Sequence, residues 1–146
     1  MQITNMKQLR TAMMGEIKKA MEIVNEKALA DMYDETAKFY TGGEPVPPEY
    51  GGYVRTGALG DTPRTTAISF DDSKVSFKAY LDKQHKYLTG DRPMMEKVLE
   101  LANYGKPWRT SSGLLARPTV GRKGFWERAK NNIEIDLNKT MKQFFY

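Results

Sequence analysis

The stretch Tyr53-Val54-Arg55-Thr56-Gly57-Ala58-Leu59-Gly60-Asp61 divides the chain into two kinds of sequence. Before it, a helical pattern runs into a loop rich in proline and glycine. After it come alternating, strand-like segments and further helical patterns. Tyr53-Val54-Arg55-Thr56 reads as a short strand or extended arm. Gly57 and Gly60 permit backbone angles that a Cβ would penalise, and Leu59 between them can anchor the turn in a core.

Toward the N-terminus, Met6, Leu9, Met13, Ile17, Ala20, Val24, Ala28 and Met32 recur at steps of three and four, which lines them along one helix face. Thr4 or Asn5 supplies a capping acceptor. The pattern fades near Tyr40 and Gly42-Gly43 ends it, so residues 1–41 are expected as one long helix. Its length would be about 50 Å. Lys7, Arg10, Glu16, Lys19, Glu22, Glu26 and Lys27 form a solvated face of mixed charge. The Met-rich stripe is expected as core, although so long a helix can project past its own sheet and pack on a neighbour. Residues 42–52 hold Pro45, Pro47, Pro48 and Tyr50 and are expected as an extended loop.

Toward the C-terminus, residues 53–90 are expected to form a small sheet. Ile68 and Phe70 share one face of an alternating run, and Val75, Phe77, Ala79 and Leu81 share one face of the next. Asp71-Asp72-Ser73 is the turn between them. Such alternation suits an antiparallel hairpin with one wet side, covered on its dry side by the long helix. Asp91-Arg92-Pro93 opens a short second helix over residues 91–105, with Met94, Met95, Val98, Leu99 and Ala102 as its apolar side. Residues 106–121 are expected as a loop and residues 122–146 as a C-terminal helix, marked by Phe125, Trp126, Ala129, Ile133, Leu137, Met141 and Phe144. The fold class is therefore α+β in a single domain: a long N-terminal helix packed on a small antiparallel β-sheet, with a short second helix and a C-terminal helix.

Residue types restrict the chemistry. The 146 residues include no cysteine and one histidine, His85, beside Lys86. Thiolate nucleophiles, zinc-thiolate sites and paired-histidine metal motifs are excluded. No phosphate-binding GxxxxGK[ST] is present, and no Ser-His-Asp set stands out. No catalytic, cofactor-binding or metal-binding residue is assigned, and a non-enzymatic role is expected. No apolar run approaches the roughly 20 residues of a membrane span, and the N-terminus lacks the regions of a signal peptide.

Charge is unevenly placed. Residues 31–72 hold eight acidic side chains against three basic, whereas residues 104–130 hold seven basic against one acidic. A subunit with opposite charge on two faces is suited to head-to-tail contact with copies of itself, which closes into a ring when the rotation allows. The basic residues are interleaved with Tyr104, Trp108 and Trp126, the composition of a surface that follows phosphates and stacks bases. A basic nucleic-acid-binding protein is thus the alternative reading.

Four motifs also occur in a fixed order: Arg55-Thr56-Gly57-Ala58-Leu59, then Leu101-Ala102-Asn103-Tyr104-Gly105, then Ala116-Arg117-Pro118, then the helix from about Gly124. In that order, after a long amphipathic helix, they resemble the tail-completion (neck, or head–tail joining) proteins of long-tailed bacteriophages. The chain departs from that pattern at Tyr104, where an acidic residue is usual, and at Thr119, where an aromatic is usual. The resemblance implies a structural virion protein, made in the host cytoplasm and assembled as a ring, expected to be sixfold, between connector and tail tube. Its partners would be connector or adaptor proteins, and tail-tube or terminator proteins. Candidate interface residues are Pro47, Pro48, Tyr50, Arg55, Thr56, Gly57, Trp108, Arg109, Arg117 and Pro118; candidate DNA-facing residues of the channel are Arg122, Lys123, Arg128 and Lys130.

Overall fold

The long helix begins where its capping chemistry places it. Asn5 Oδ1 accepts the Gln8 N–H at 2.9 Å, and Gln8 Oε1 reaches back to accept the Thr4 N–H at 2.7 Å. Amides that the first turn cannot pair internally thus meet side-chain acceptors. Helix α1 then runs over Met6–Tyr40, 35 residues. The computed structural model describes residues 2–40, 58–71, 73–84, 99, 103–104, 108–109, 115–116 and 124–145.

A second long helix, α2 (Phe125–Phe145), packs antiparallel to α1. Glu35, near the end of α1, meets Arg128, near the start of α2; Asp31, one turn earlier, faces Asp136, two turns later. Ala20, Val24, Ala28 and Met32 from α1 and Phe125 and Ala129 from α2 are buried, and Leu59 and Leu99 join them in the core. The C-terminal apolar spacing read from the sequence is therefore a packed face, with Ile133, Leu137, Met141 and Phe144 half-buried along it.

The start of α2 is held by a residue far from it in sequence. Asn103, itself buried, accepts the Trp126 N–H on Oδ1 at 2.9 Å and donates from Nδ2 to Glu127 at 2.8 Å. Its backbone carbonyl accepts the Gly124 N–H, also at 2.9 Å. Gly124 has φ of +78°, a left-handed conformation that a Cβ would strain. Leu99, Asn103 and Tyr104 are helical; the remainder of the second helix expected over residues 91–105 lies outside the described residues.

Against α1 lies a short helical turn, Ala58–Asp61, followed by an antiparallel hairpin. Strand β1 (Pro63–Thr65) pairs with β4 (Ala79–Leu81), and β2 (Ser69–Phe70) pairs with β3 (Val75–Ser76). The turn is closed by Asp71, whose Oδ1 accepts the amides of Ser73 at 2.7 Å and Lys74 at 2.8 Å. These donors, the Ser73 amide first, hold the Asp71 carboxyl below its ordinary range. Uninterrupted alternation, expected from the sequence, is not what forms. Thr65 opposes Ala79 and Ser69 opposes Ser76, so the first strand carries one extra residue, a bulge. Thr66 bridges it, donating its N–H to the Lys78 carbonyl and accepting the Lys78 N–H on Oγ1, both at 2.9 Å. Beyond the bulge Phe70 is exposed instead of lining the dry side with half-buried Ile68.

The stretch expected as a loop over residues 106–121 contains a small ladder. Strand β5 (Trp108–Arg109) pairs antiparallel with β6 (Leu115–Ala116). The loop expected over residues 42–52 lies outside the described residues.

Asn103→Ala removes both side-chain bonds at the head of α2 and leaves the Trp126 amide without its acceptor. Urea unfolding should show a loss of about 2–3 kcal/mol, with Asn103→Asp milder because an acceptor for the Trp126 amide remains.

Candidate interaction surfaces

The α1–α2 contact is polar along one side. Arg128, Asn132, Asp136 and Thr140 stand at four-residue spacing on α2 and form a line beside its apolar face. Glu35, 2% exposed, receives three donors: Arg128 Nε at 2.6 Å, Lys38 Nζ at 2.8 Å and Asn132 Nδ2 at 3.4 Å. Burial by itself would raise its pKa, but the bonds from Lys38 and Arg128 outweigh it and hold the carboxyl below its ordinary value. One turn away the balance is reversed. Asp31 Oδ2 is buried without a donor. Burial first, then the charge of Asp136 and a hydrogen bond with it, push the Asp31 carboxyl up to about 6, with smaller contributions from Asp34 and Glu35. Two carboxyls so placed are most stable when one carries a proton.

A second feature lies at the other end of α1. Every α1 side chain that is buried belongs to residue 20 or beyond. The hairpin reaches α1 at Asn25, whose Nδ2 donates to the Thr66 carbonyl at 2.9 Å, and at Lys18, whose ammonium lies 5.5 Å from the Phe70 ring centroid. From there to its start the helix has no buried side chain. Met6 is 78% exposed and Met13 48%, Leu9 and Ile17 are half-buried, and beyond the helix's own backbone no atom of the described residues comes within 4 Å of where a Cβ on Gly15 would stand. The apolar stripe expected as core therefore divides: core from Ala20 onward, surface before it. The stripe's chemistry is continuous; the described elements that pack on it end.

The sequence-assigned residues are distributed as follows. Trp108 and Arg109 lie on β5. Pro47, Pro48, Tyr50, Arg55, Thr56, Gly57, Arg117, Pro118, Arg122 and Lys123 lie outside the described residues. Arg128, expected to face DNA, sits on the inward side of α2 and is engaged by Glu35, so it belongs to the helix contact. Lys130 is on the outer side, its ammonium 5.9 Å from the Trp126 ring centroid. Among the described residues no group of acidic or histidine side chains is placed to hold a metal, and no helix is long and apolar enough to cross a membrane.

No family model matches the chain, nor does any curated protein or solved structure.

The carboxyl line gives a signed pH dependence. The stability that Asp31 contributes is fully present below its ordinary value of 3.8 and is lost as pH rises through about 6. Glu35 acts oppositely, its contribution being lost as pH falls through its lowered value. Asp31→Asn, which supplies a neutral donor to Asp136, should therefore melt higher than the wild type at pH 7.5, by on the order of 1 kcal/mol after solvent screening. The difference should narrow as pH falls through about 6 and vanish below 3.8.

Proposed function

We propose that the chain is a non-enzymatic structural protein of a phage virion, a head–tail joining (tail-completion) subunit that forms a ring between connector and tail tube. The observation that carries this reading is the half-used helix. A 35-residue helix is long for a chain of 146 residues, and its first turns display Met6 and Met13 to solvent. A protomer whose longest element extends beyond its own core is built to be completed by other chains. The order of the four sequence motifs and the α+β architecture agree with this assignment. The free energy of assembly comes from burying apolar and aromatic side chains against neighbours, and complementary charge selects the partner. DNA passing through the ring requires only sequence-independent contact, for which Lys130 on the outer side of α2 is suited.

The test is electron microscopy of particles from cells in which this gene is disabled. Filled heads beside complete but unattached tails are expected. Normal infectious particles would overturn the joining role and favour the nucleic-acid-binding alternative, whose signature is a steep salt dependence of duplex binding.

A further inference from the structure

We infer that the projecting half of α1 docks on a second copy of this chain, seating on the outer face of the C-terminal half of that copy's α1. The inference deepens the ring reading and rests on it only for closure of the assembly.

Helix α1 carries opposite charge in its two halves. Residues 6–19 hold Lys7, Arg10, Lys18 and Lys19 against Glu16; residues 22–38 hold Glu22, Glu26, Asp31, Asp34 and Glu35 against Lys27 and Lys38. Each half also exposes apolar surface of its own. In the first half Met6 and Met13 stand exposed, with Lys7 and Arg10 exposed beside them. In the second, Ile23, Ala30, Tyr33 and Ala37 are exposed among the exposed carboxylates Glu22, Glu26 and Asp34. A basic, methionine-bearing strip and an acidic strip with a tyrosine at its centre are complementary in both charge and apolar content.

The phase of the helix determines the kind of contact. At about 100° per residue, Met6 and Met13 continue the line of the buried Ala20 and Val24. Glu22, Glu26, Tyr33 and Ala37 fall about half a turn away, on the face that points out of the fold. The two strips thus lie on opposite sides of one rod, displaced along it. A two-fold pair would need both strips on one side. Opposite sides make the contact heterologous, head to tail, which leaves one free head and one free tail at every stage and propagates into a ring or an open helix. The projecting segment, residues 6–17, is about 18 Å long, comparable with the tail strip that it would cover.

Two surface variants test this. Met6→Gln with Met13→Gln spoils the head and leaves the tail intact; Glu22→Lys with Glu26→Lys does the reverse. All four positions are exposed, so circular dichroism of both variants should match the wild type. Sedimentation velocity and native mass spectrometry at rising concentration and low salt should show the wild type growing beyond a dimer and each variant alone remaining monomeric, its association weakened at least tenfold. An equimolar mixture should stop at a one-to-one dimer, because one sound head meets one sound tail; unfolded variants could not do this. The chain bearing all four substitutions should stay monomeric, because neither of its strips is sound. A wild type that stays monomeric, a wild type that stops at a dimer, or a mixture that grows past a dimer would each overturn the contact. Wild-type-sized assemblies in both variants would overturn it while leaving the ring, built on other surfaces, in place.

Discussion

Glu35 holds the two helices in register. A carboxylate that is 2% exposed is costly unless its lone pairs are met, and here Arg128 and Lys38 bring charge while Asn132 adds a weaker bond. Those donors lie on both helices, so Glu35 is satisfied in one alignment of α2 along α1. Sliding α2 by a turn would carry Arg128 out of reach and leave the buried Glu35 with Lys38 as its one charged partner, on its own helix. Once that register is set, the remaining polar line of α2 falls where it must. Asp136 comes against Asp31, and Thr140 is buried with its hydroxyl unpaired. The raised Asp31 pKa is thus a consequence of satisfying Glu35, in a helix contact that places carboxyls on both sides.

The same contact determines how much of α1 is used. α2 has 21 residues against the 35 of α1, and their alignment begins near the end of α1. α2 is exhausted before α1 is, and the hairpin reaches α1 at Asn25 and Lys18. Short isolated helices are marginal in water because nucleation is costly. The projecting turns avoid that cost by continuing a packed helix and by carrying the Asn5 cap at their free end. In the proposed assembly they would meet a partner already helical, so little ordering entropy would be spent on docking.

Much of this was legible in the sequence. The two long helices announce themselves because three-and-four spacing persists over many turns, and the cap at Asn5 and the turn at Asp71 have local chemistry. What was not legible depends on distance along the chain or on a single residue. One extra residue between Thr65 and Ser69 leaves alternation almost unchanged in the sequence yet offsets the two strand pairs. Strands β5 and β6, two residues each, are too short to show a period. Asn103 caps a helix that begins more than twenty residues later, and no local rule links the two. For Glu35 there was a signal: Arg128, Asn132, Asp136 and Thr140 at four-residue spacing mark a polar line on a packed helix. The division of the Met-rich stripe had none, since Met6 and Met13 differ from Ala20 and Val24 in what lies opposite them and not in their own pattern.

The claim that α1 is divided between fold and assembly is tested most directly by residue-resolved amide hydrogen exchange, first on dilute monomer and then on the assembled chain. In the monomer, amides from about residue 20 to 36 should exchange slowly, near the rate set by global unfolding, while those of residues 6–17 exchange orders of magnitude faster. Assembly should slow the first group little and the second strongly. Uniformly slow exchange along the whole of α1 in the monomer would contradict the account, because the first turns would then owe their stability to the chain's own fold.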